Sequence, residues 1–400
     1  MNVAVVLEYR FSRTPDGAVW THTMFSYSFW TRYLTVFDHV KIVARIQDVP
    51  SVPDGWKRVD GECVACCAIP YYVGPRQYVL VMRQVRRAVR EAVTDGDAVI
   101  VRLSSAIASP LLSMLRTTGH PYGAEVVGDP YDVFAPGAVK HPLRFFFRSH
   151  FSAQLRAQCA GACAVAYVTE QALQRRYPVQ SAAFSTHYSS IELPCNVFKS
   201  ARRATRDKEH VTRLVTVGSL AQLYKAPDVL IDAVGMCIRQ GLNLELVIVG
   251  DGKHRLELED RAKQNAIAQR VHFVGQLAAG DAVYAQLDQA DLFIMPSRTE
   301  GLPRAMIEAM ARGLPCIGTT VGGIPELLPP EDVVPPGDAR ALAQKIAQVV
   351  GDPVRMDRMA ARNRNKAQDY RDEVLSSRRL AFYQYVRHTT EAWLRMEQQA

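Results

Sequence analysis

Two glutamates, Glu300 and Glu308, bracket the run Gly301-Leu302-Pro303-Arg304-Ala305-Met306-Ile307. An apolar stretch at 291–295 precedes them and reads as a buried strand. Pro303 suits the first turn of a helix, where its missing N–H costs nothing. The segment therefore predicts strand, tight turn and helix start, with Glu300 at the turn and Glu308 about two turns into the helix. The first N–H groups of such a helix have no partner within it and sit at the positive end of its dipole, which makes that end a site for a phosphate or diphosphate. Carboxylates beside an anion site make sense if the ligand carries hydroxyls next to its phosphates, as a nucleotide sugar does. The plainer alternative gives Glu300 to the helix dipole and leaves Glu308 as a solvated partner of Arg304 and Arg312.

The surroundings favour the ligand. Gly218-Ser219-Leu220 and then Lys225 follow an apolar run at 214–217, and Gly250-Asp251-Gly252 follows one at 244–249. Gly275 follows 271–274, Ser297 follows 292–295, and Gly322-Gly323 with Glu326 follows 316–319. A lone glycine in a loop is usually a turn. Small residues after every strand of one parallel sheet instead build an edge where backbone approaches a ligand and N–H groups meet an anion.

These motifs resemble the donor-binding domain of retaining glycosyltransferases of family 4, which have the two-domain GT-B fold. The resemblance rests on Val217-Gly218-Ser219-Leu220 with Lys225, on Gly250-Asp251-Gly252, on the 290–297 run leading to Glu300 and Glu308, and on Val321-Gly322-Gly323-Ile324-Pro325-Glu326. It is specific across roughly 214–342 and at fold level only across 1–195. It implies that Lys225 holds the donor diphosphate, that Glu308 accepts hydrogen bonds from the ribose, and that Glu300 binds the sugar ring. Gly301, Leu302 and Pro303 would bring backbone to the sugar and phosphate, and Gly17, Gly218, Ser219, Gly250, Asp251, Gly252 and Ser297 would complete the donor site. Many members carry arginine where Ser219 stands, so Arg10 and Arg13 become candidate contacts to the diphosphate or the acceptor. Many also carry a histidine where Gly128-Asp129-Pro130 stands. Asp129 is then the candidate polar group at the reacting centre with Glu300 and Lys225, and its alternative is a turn aspartate before proline.

Positioning such a site needs two α/β units. Apolar runs at 3–7, 40–44, 64–69, 98–103, 124–127 and 164–168 alternate with helical patterns, and the second half repeats the scheme. Near-continuous apolar strands between helices imply parallel sheets covered on both faces. The polar, charged stretch at 199–209 reads as the linker. The expected architecture is α/β: two doubly wound Rossmann-like domains facing a cleft, an acceptor-binding one over 1–198 and a donor-binding one over 199–375, with a closing helix over 376–400 returning to the first domain.

The chain has 400 residues and a formal charge of +8. Residues 1–200 hold 21 Lys/Arg against 15 Asp/Glu, a balance of +6. No run reaches the roughly 18–20 apolar residues of a membrane span, and the first residues read as a strand, not a signal peptide. Cys63, Cys66 and Cys67 resemble half a metal site with no second pair at a zinc-like distance. No metal or cofactor is expected, and eight cysteines among mostly apolar neighbours suit a reduced, cytoplasmic protein.

The first half is less explicit. The loop 8–17, with Arg10, Arg13 and Gly17 at a strand end, is expected to face the cleft. Between 133 and 169 there is no acidic residue, and Lys140, Arg144, Arg148 and Arg156 stand beside Leu143, Phe147, Phe151 and Leu155. The apolar set repeats every four residues. Such a helix either rests on an anionic membrane at its inner face, presenting a lipid-linked acceptor, or buries its Phe/Leu face in the core. The expected activity is retaining transfer of a sugar from a nucleoside diphosphate sugar to a hydroxyl of a glycan or lipid-linked acceptor. A GT-B-like phosphorylase or sugar-nucleotide epimerase is the alternative. A basic nucleic-acid-binding protein is remote, since no recognition helix or stacking motif is present.

Overall fold

The computed structural model describes residues 1–135, 141–199 and 210–399; Lys140 and the linker beyond Lys199 lie outside them. The first sheet comprises β1 (Val3–Arg13), β2 (Val19–Thr21), β3 (Val40–Asp48), β4 (Lys57–Arg58), β5 (Val64–Ile69), β6 (Ala98–Leu103), β7 (Gly123–Val126), β8 (Ala164–Tyr167) and β9 (Phe184–His187). Seven of these run parallel in the order β5-β3-β1-β6-β7-β8-β9. The second sheet comprises β10 (Thr212–Val217), β11 (Leu244–Val249), β12 (Val271–Gly275), β13 (Leu292–Ile294), β14 (Cys316–Thr319) and β15 (Val333–Val334). It is wholly parallel in the order β12-β11-β10-β13-β14-β15.

In both sheets the strand order reverses beside the first strand, at β1/β6 and at β10/β13. Crossovers leave such a point to opposite faces, and a crevice opens at the carboxyl ends of the two strands. The strands are apolar on both faces because helices cover both: Val3, Ala4, Val5 and Val6 are all fully buried, as are Leu292, Phe293 and Ile294.

The terminal helix, Asp372–Glu397, starts ahead of the expected 376 and packs on the first domain. Tyr383 stacks on Tyr33 at 4.5 Å between ring centres. A Cβ on Gly123 would lie 2.6 Å from Val386, so the glycine is what lets the helix lie against β7. No helix among the described residues is long and apolar enough to cross a membrane.

One expectation needs correction. Residues 8–17 are not a loop at a strand end. β1 continues to Arg13, pairs with β3 as far as Asp48, and turns through residues 14–18 into antiparallel β2. The alternating pattern explains it: Phe11 is buried while its neighbours bond laterally. Glu8 is likewise spoken for, accepting from Tyr72 Oη at 2.7 Å and from the backbone N–H of Ala106 at 3.0 Å.

Candidate active site

The carboxyl ends of β10 and β13 meet at one carboxylate. Lys225 Nζ donates to Glu300 Oε1 at 2.5 Å, and Ser297 Oγ donates to the same oxygen at 2.7 Å. Ser297 is fully buried and is fixed in turn by Thr319, whose hydroxyl donates to its carbonyl at 2.7 Å. Glu300 thus sits in a prearranged nest, its side chain only 7% exposed.

The helix that follows is Arg304–Ala311, with Pro303 as its N-cap, not its first residue. Glu308 therefore lies little more than one turn in. Its carboxyl is pushed up to about 7 by burial, offset in part by Arg304. No described residue hydrogen-bonds to that carboxyl. A buried acid without a protein donor suits a ligand that brings its own hydroxyls.

The glycines hold the loops against one another. At Gly250 (φ +139) a Cβ would lie 2.0 Å from the Gly218 carbonyl oxygen, and at Gly252 (φ +157) 2.2 Å from the Ala221 nitrogen. At Gly322 (φ +52) it would lie 2.0 Å from the Glu300 carbonyl oxygen. Gly323 N donates to the Gly301 carbonyl at 2.7 Å. Gly218 leaves room for the Lys225 stem, which would be 3.1 Å from an added Cβ. Asp251 accepts from Gly252 N at 2.7 Å and pairs with Arg255 at 3.2 Å.

The two domains touch here. Glu326 accepts from the backbone N–H groups of Glu170, Gln171 and Ala172 at 2.6, 3.0 and 2.6 Å, one carboxylate of the second domain holding a segment of the first. A Cβ on Gly301 would lie 3.1 Å from the Val127 carbonyl oxygen. Beside this contact an interdomain cavity of about 680 Å³ is lined by Asp129, Asp132, Thr169 and Arg176 on one side and by Arg298, Glu300, Gly301 and Gly322 on the other.

Asp129 faces this cavity, yet both its oxygens are engaged. It caps the short helix Pro130–Val133 through Tyr131 N at 2.9 Å, accepts from Tyr177 Oη at 2.5 Å and pairs with Arg176. Arg176 also reaches Asp132 at 3.1 Å. Asp132 is pushed above the usual carboxylate range by burial and by the charge of Asp129. Arg13 is committed to Asp48 at 2.7 and 3.2 Å, and Arg10 is exposed within β1. Gly17 (φ +84) forms the hairpin tip, where an added Cβ meets nothing within 4 Å. The cations at the cleft that sequence reading missed are Arg176 and Arg298. Arg298 is held by Asp228 at 2.9 and 2.7 Å. It stands two residues before Glu300 and was findable on that ground; a basic pair at 175–176 carries no comparable signal.

The helix Arg144–Ala160 follows neither expectation throughout. Leu155 is buried, but Leu143, Phe145 and Phe146 are 56%, 63% and 62% exposed. Arg148 donates to the Tyr131 carbonyl at 3.0 Å and Arg156 to the Arg176 carbonyl at 3.1 Å. The guanidinium of Arg144 lies over Phe145, 4.3 Å from the ring centre.

Two doubly wound domains thus face one polar cleft, with a Lys–Glu–Ser cluster at one switch point. The sequence matches the glycosyl transferases group 1 family over residues 211–352. It is similar to Protein CapJ of Staphylococcus aureus, 26% identical over 325 residues, covering 80% of each chain. It is 31% identical over 218 residues to a GDP-mannose-dependent monoacylated alpha-(1-6)-phosphatidylinositol monomannoside mannosyltransferase of Corynebacterium glutamicum, covering 50% of this chain and 55% of that one. Its fold is that of sucrose-phosphate synthase from Thermosynechococcus elongatus, with a TM-score of 0.71 at 18% identity over 97% of this chain and 100% of that one. The chain thus has the two-domain fold of that synthase, and its second domain carries the glycosyl transferases group 1 signature.

Proposed function

We propose that the protein moves a sugar from a nucleoside diphosphate sugar to a hydroxyl of a glycan or lipid-linked acceptor, retaining the anomeric configuration. The observation that carries this is the pairing of Lys225 with Glu300 beside the unpartnered, high-pKa Glu308. In the free protein Lys225 and Glu300 neutralise each other. A donor separates their tasks: the diphosphate takes the ammonium, the sugar hydroxyls take the carboxylate, and the ribose diol donates to Glu308. The leaving diphosphate departs first, stabilised by Lys225 and the N–H groups at the start of Arg304–Ala311. The acceptor then attacks the same face and gives its proton to the departing phosphate oxygen. No carboxylate nucleophile takes part, and no metal is required, because the lysine and the helix end supply the positive charge. Asp129 and Arg176 form the acceptor-side wall. Closure of the domains keeps water from the donor.

The aromatic start of Arg144–Ala160 suits contact with an anionic membrane surface, with Arg144 and Arg148 beside it. Lys140, outside the described residues, belongs to the same basic stretch.

A thermal-shift panel of nucleoside diphosphates and their sugars tests the donor reading. A preferred nucleotide should raise Tm by mass action, by an amount set by its concentration over Kd. Glu308→Ala should abolish the shift; a shift that survives it intact removes the ribose assignment.

A further inference from the structure

A second cavity, of about 560 Å³, lies wholly in the first domain, between the helices Gly74–Ala92, Ala108–Thr118 and Arg144–Ala160. Its wall is apolar: Ala106, Val127, Pro130, Val133, Phe134 and Phe151. Four of its polar side chains, Ser105, Ser109, Asp129 and Gln154, are hydrogen-bonded within the protein. Ser105 donates to Glu8 at 3.1 Å, and Gln154 Nε2 donates to Ser109 Oγ at 2.5 Å. The wall between them offers a glycan little to bond to, whereas a hydrocarbon chain needs no polar partner.

The cavity also has a direction. Its inner end is the segment 127–130, and Asp129 lines both this cavity and the interdomain one. The Val127 carbonyl is the group that Gly301 of the donor-side loop packs against. Outward, ring contacts lead from Phe134 to Phe147 at 5.6 Å and on to Phe146 at 5.9 Å, which is exposed. Beside the mouth, Tyr78 begins an exposed stripe along Gly74–Ala92. Leu80 is 83% exposed and Val79 66%. Arg76, Leu80, Arg83, Arg87 and Arg90 follow one another at steps of three or four residues, hence on one face. This helix holds five arginines and one acid, Glu91. Arg76, Arg83 and Arg90 form no hydrogen bond or ion pair with any described residue.

We propose that this cavity takes the apolar chain of a lipid-anchored acceptor. The chain is drawn from an anionic bilayer on which Leu80, Phe145, Phe146 and the arginine stripe of Gly74–Ala92 rest. The inference rests on the glycosyl-transfer reading and specifies its acceptor. The chain fills the apolar cavity, and its polar head emerges at Asp129, facing Glu300 and Gly301.

Two probes test it on the full-length protein: farnesyl phosphate below its aggregation concentration, by calorimetry, and phosphatidylcholine vesicles with and without phosphatidylglycerol, by co-sedimentation. Ala106→Trp fills the cavity from an exposed position and should weaken farnesyl phosphate by about tenfold or more. The triple variant Leu80→Ser, Arg83→Ser, Arg90→Ser should lose the phosphatidylglycerol-dependent sedimentation yet bind farnesyl phosphate within about twofold of the parent. Both variants should keep the nucleotide thermal shift, which separates failure here from failure of the donor site. The proposal falls if farnesyl phosphate does not bind or is indifferent to Ala106→Trp. It falls equally if sedimentation does not depend on phosphatidylglycerol, or if a soluble oligosaccharide such as maltoheptaose is what Ala106→Trp displaces.

Discussion

The two switch points of this molecule are built differently. At β10/β13 the polar groups lie on loops of a few residues, and neighbouring loops are pressed together until no side chain fits between them, as at Gly250 and Gly322. At β1/β6 the corresponding space is occupied: Glu8 binds Tyr72, Ser105 and the start of the helix Ala108–Thr118, and β1 runs on into a hairpin. The second domain thus leaves its strand ends open with charges poised, whereas the first seals its own and turns a cavity toward the neighbouring helices. A donor with fixed chemistry suits the first design, and an acceptor with a variable body suits the second.

Paired glycine substitutions give the largest contrast. Gly250→Ala places a methyl group 2.0 Å from a backbone oxygen at φ +139, so two loops must move. The cost should be on the order of 3 kcal/mol, lowering Tm by roughly 6–12 °C and abolishing nucleotide binding. Gly17→Ala meets open space and carries only the left-handed backbone cost, about 1 kcal/mol. Thermal melts of the two variants side by side check this. Similar losses would mean that the donor-side loops are not packed as tightly as described.

Charge deletions come next. Lys225→Ala leaves Glu300 buried with Ser297 as its remaining donor and removes the ammonium proposed to meet the diphosphate. Turnover per substrate, kcat/KM, should fall by about 10²–10³. Arg13→Ala breaks an ion pair whose side chains are 41% and 75% exposed, so stability should change by less than about 1 kcal/mol and activity by less than about twofold. If steady-state kinetics show Arg13→Ala as damaging as Lys225→Ala, the hairpin supplies a donor cation after all and the contrast between the domains disappears.

The asymmetry explains what was legible. Most parallel strands of both sheets were legible as apolar runs spaced by helical patterns; their order in the sheets was not. Lys225, Ser297 and Glu300 announced themselves because each follows its strand within a few residues and the sheet brings those ends together. Arg176 did not, because it reaches the cleft from a short helix whose placement depends on Glu326, distant in sequence. The hairpin at 14–18 was hidden for a related reason. The end of β1 is partly polar and β2 has only three residues, so lateral pairing with β3 and β4, not local propensity, makes them strands. The Arg144–Ala160 helix lies where the four-residue periodicity pointed, but that periodicity did not reveal that its first turns emerge from the core.

The smallest expected effect concerns Glu308 alone. In the free protein its carboxyl titrates near 7 instead of its ordinary 4.5, because the charged form is poorly solvated. The folded state therefore holds a proton that the unfolded state has already lost between those values. That contribution to stability is complete below about 4.5 and disappears as pH rises through about 7. Nucleotide binding runs the other way. In the proposed contact ribose hydroxyls donate to the ionised carboxylate, so binding should release the proton and affinity should climb as pH rises from 6, levelling above about 7.5, for a gain of roughly tenfold at most. Glu308→Gln should bind more weakly with no such slope, and its melting temperature without ligand should exceed the parent's at pH 8, where the parent carries an unpaired buried charge. Calorimetric titrations at pH 6, 7 and 8 separate the cases. A parent affinity that is flat over this range means that the ribose does not bond to Glu308, and the donor would then be held by Lys225 and Glu300 without a polar grip on its nucleoside.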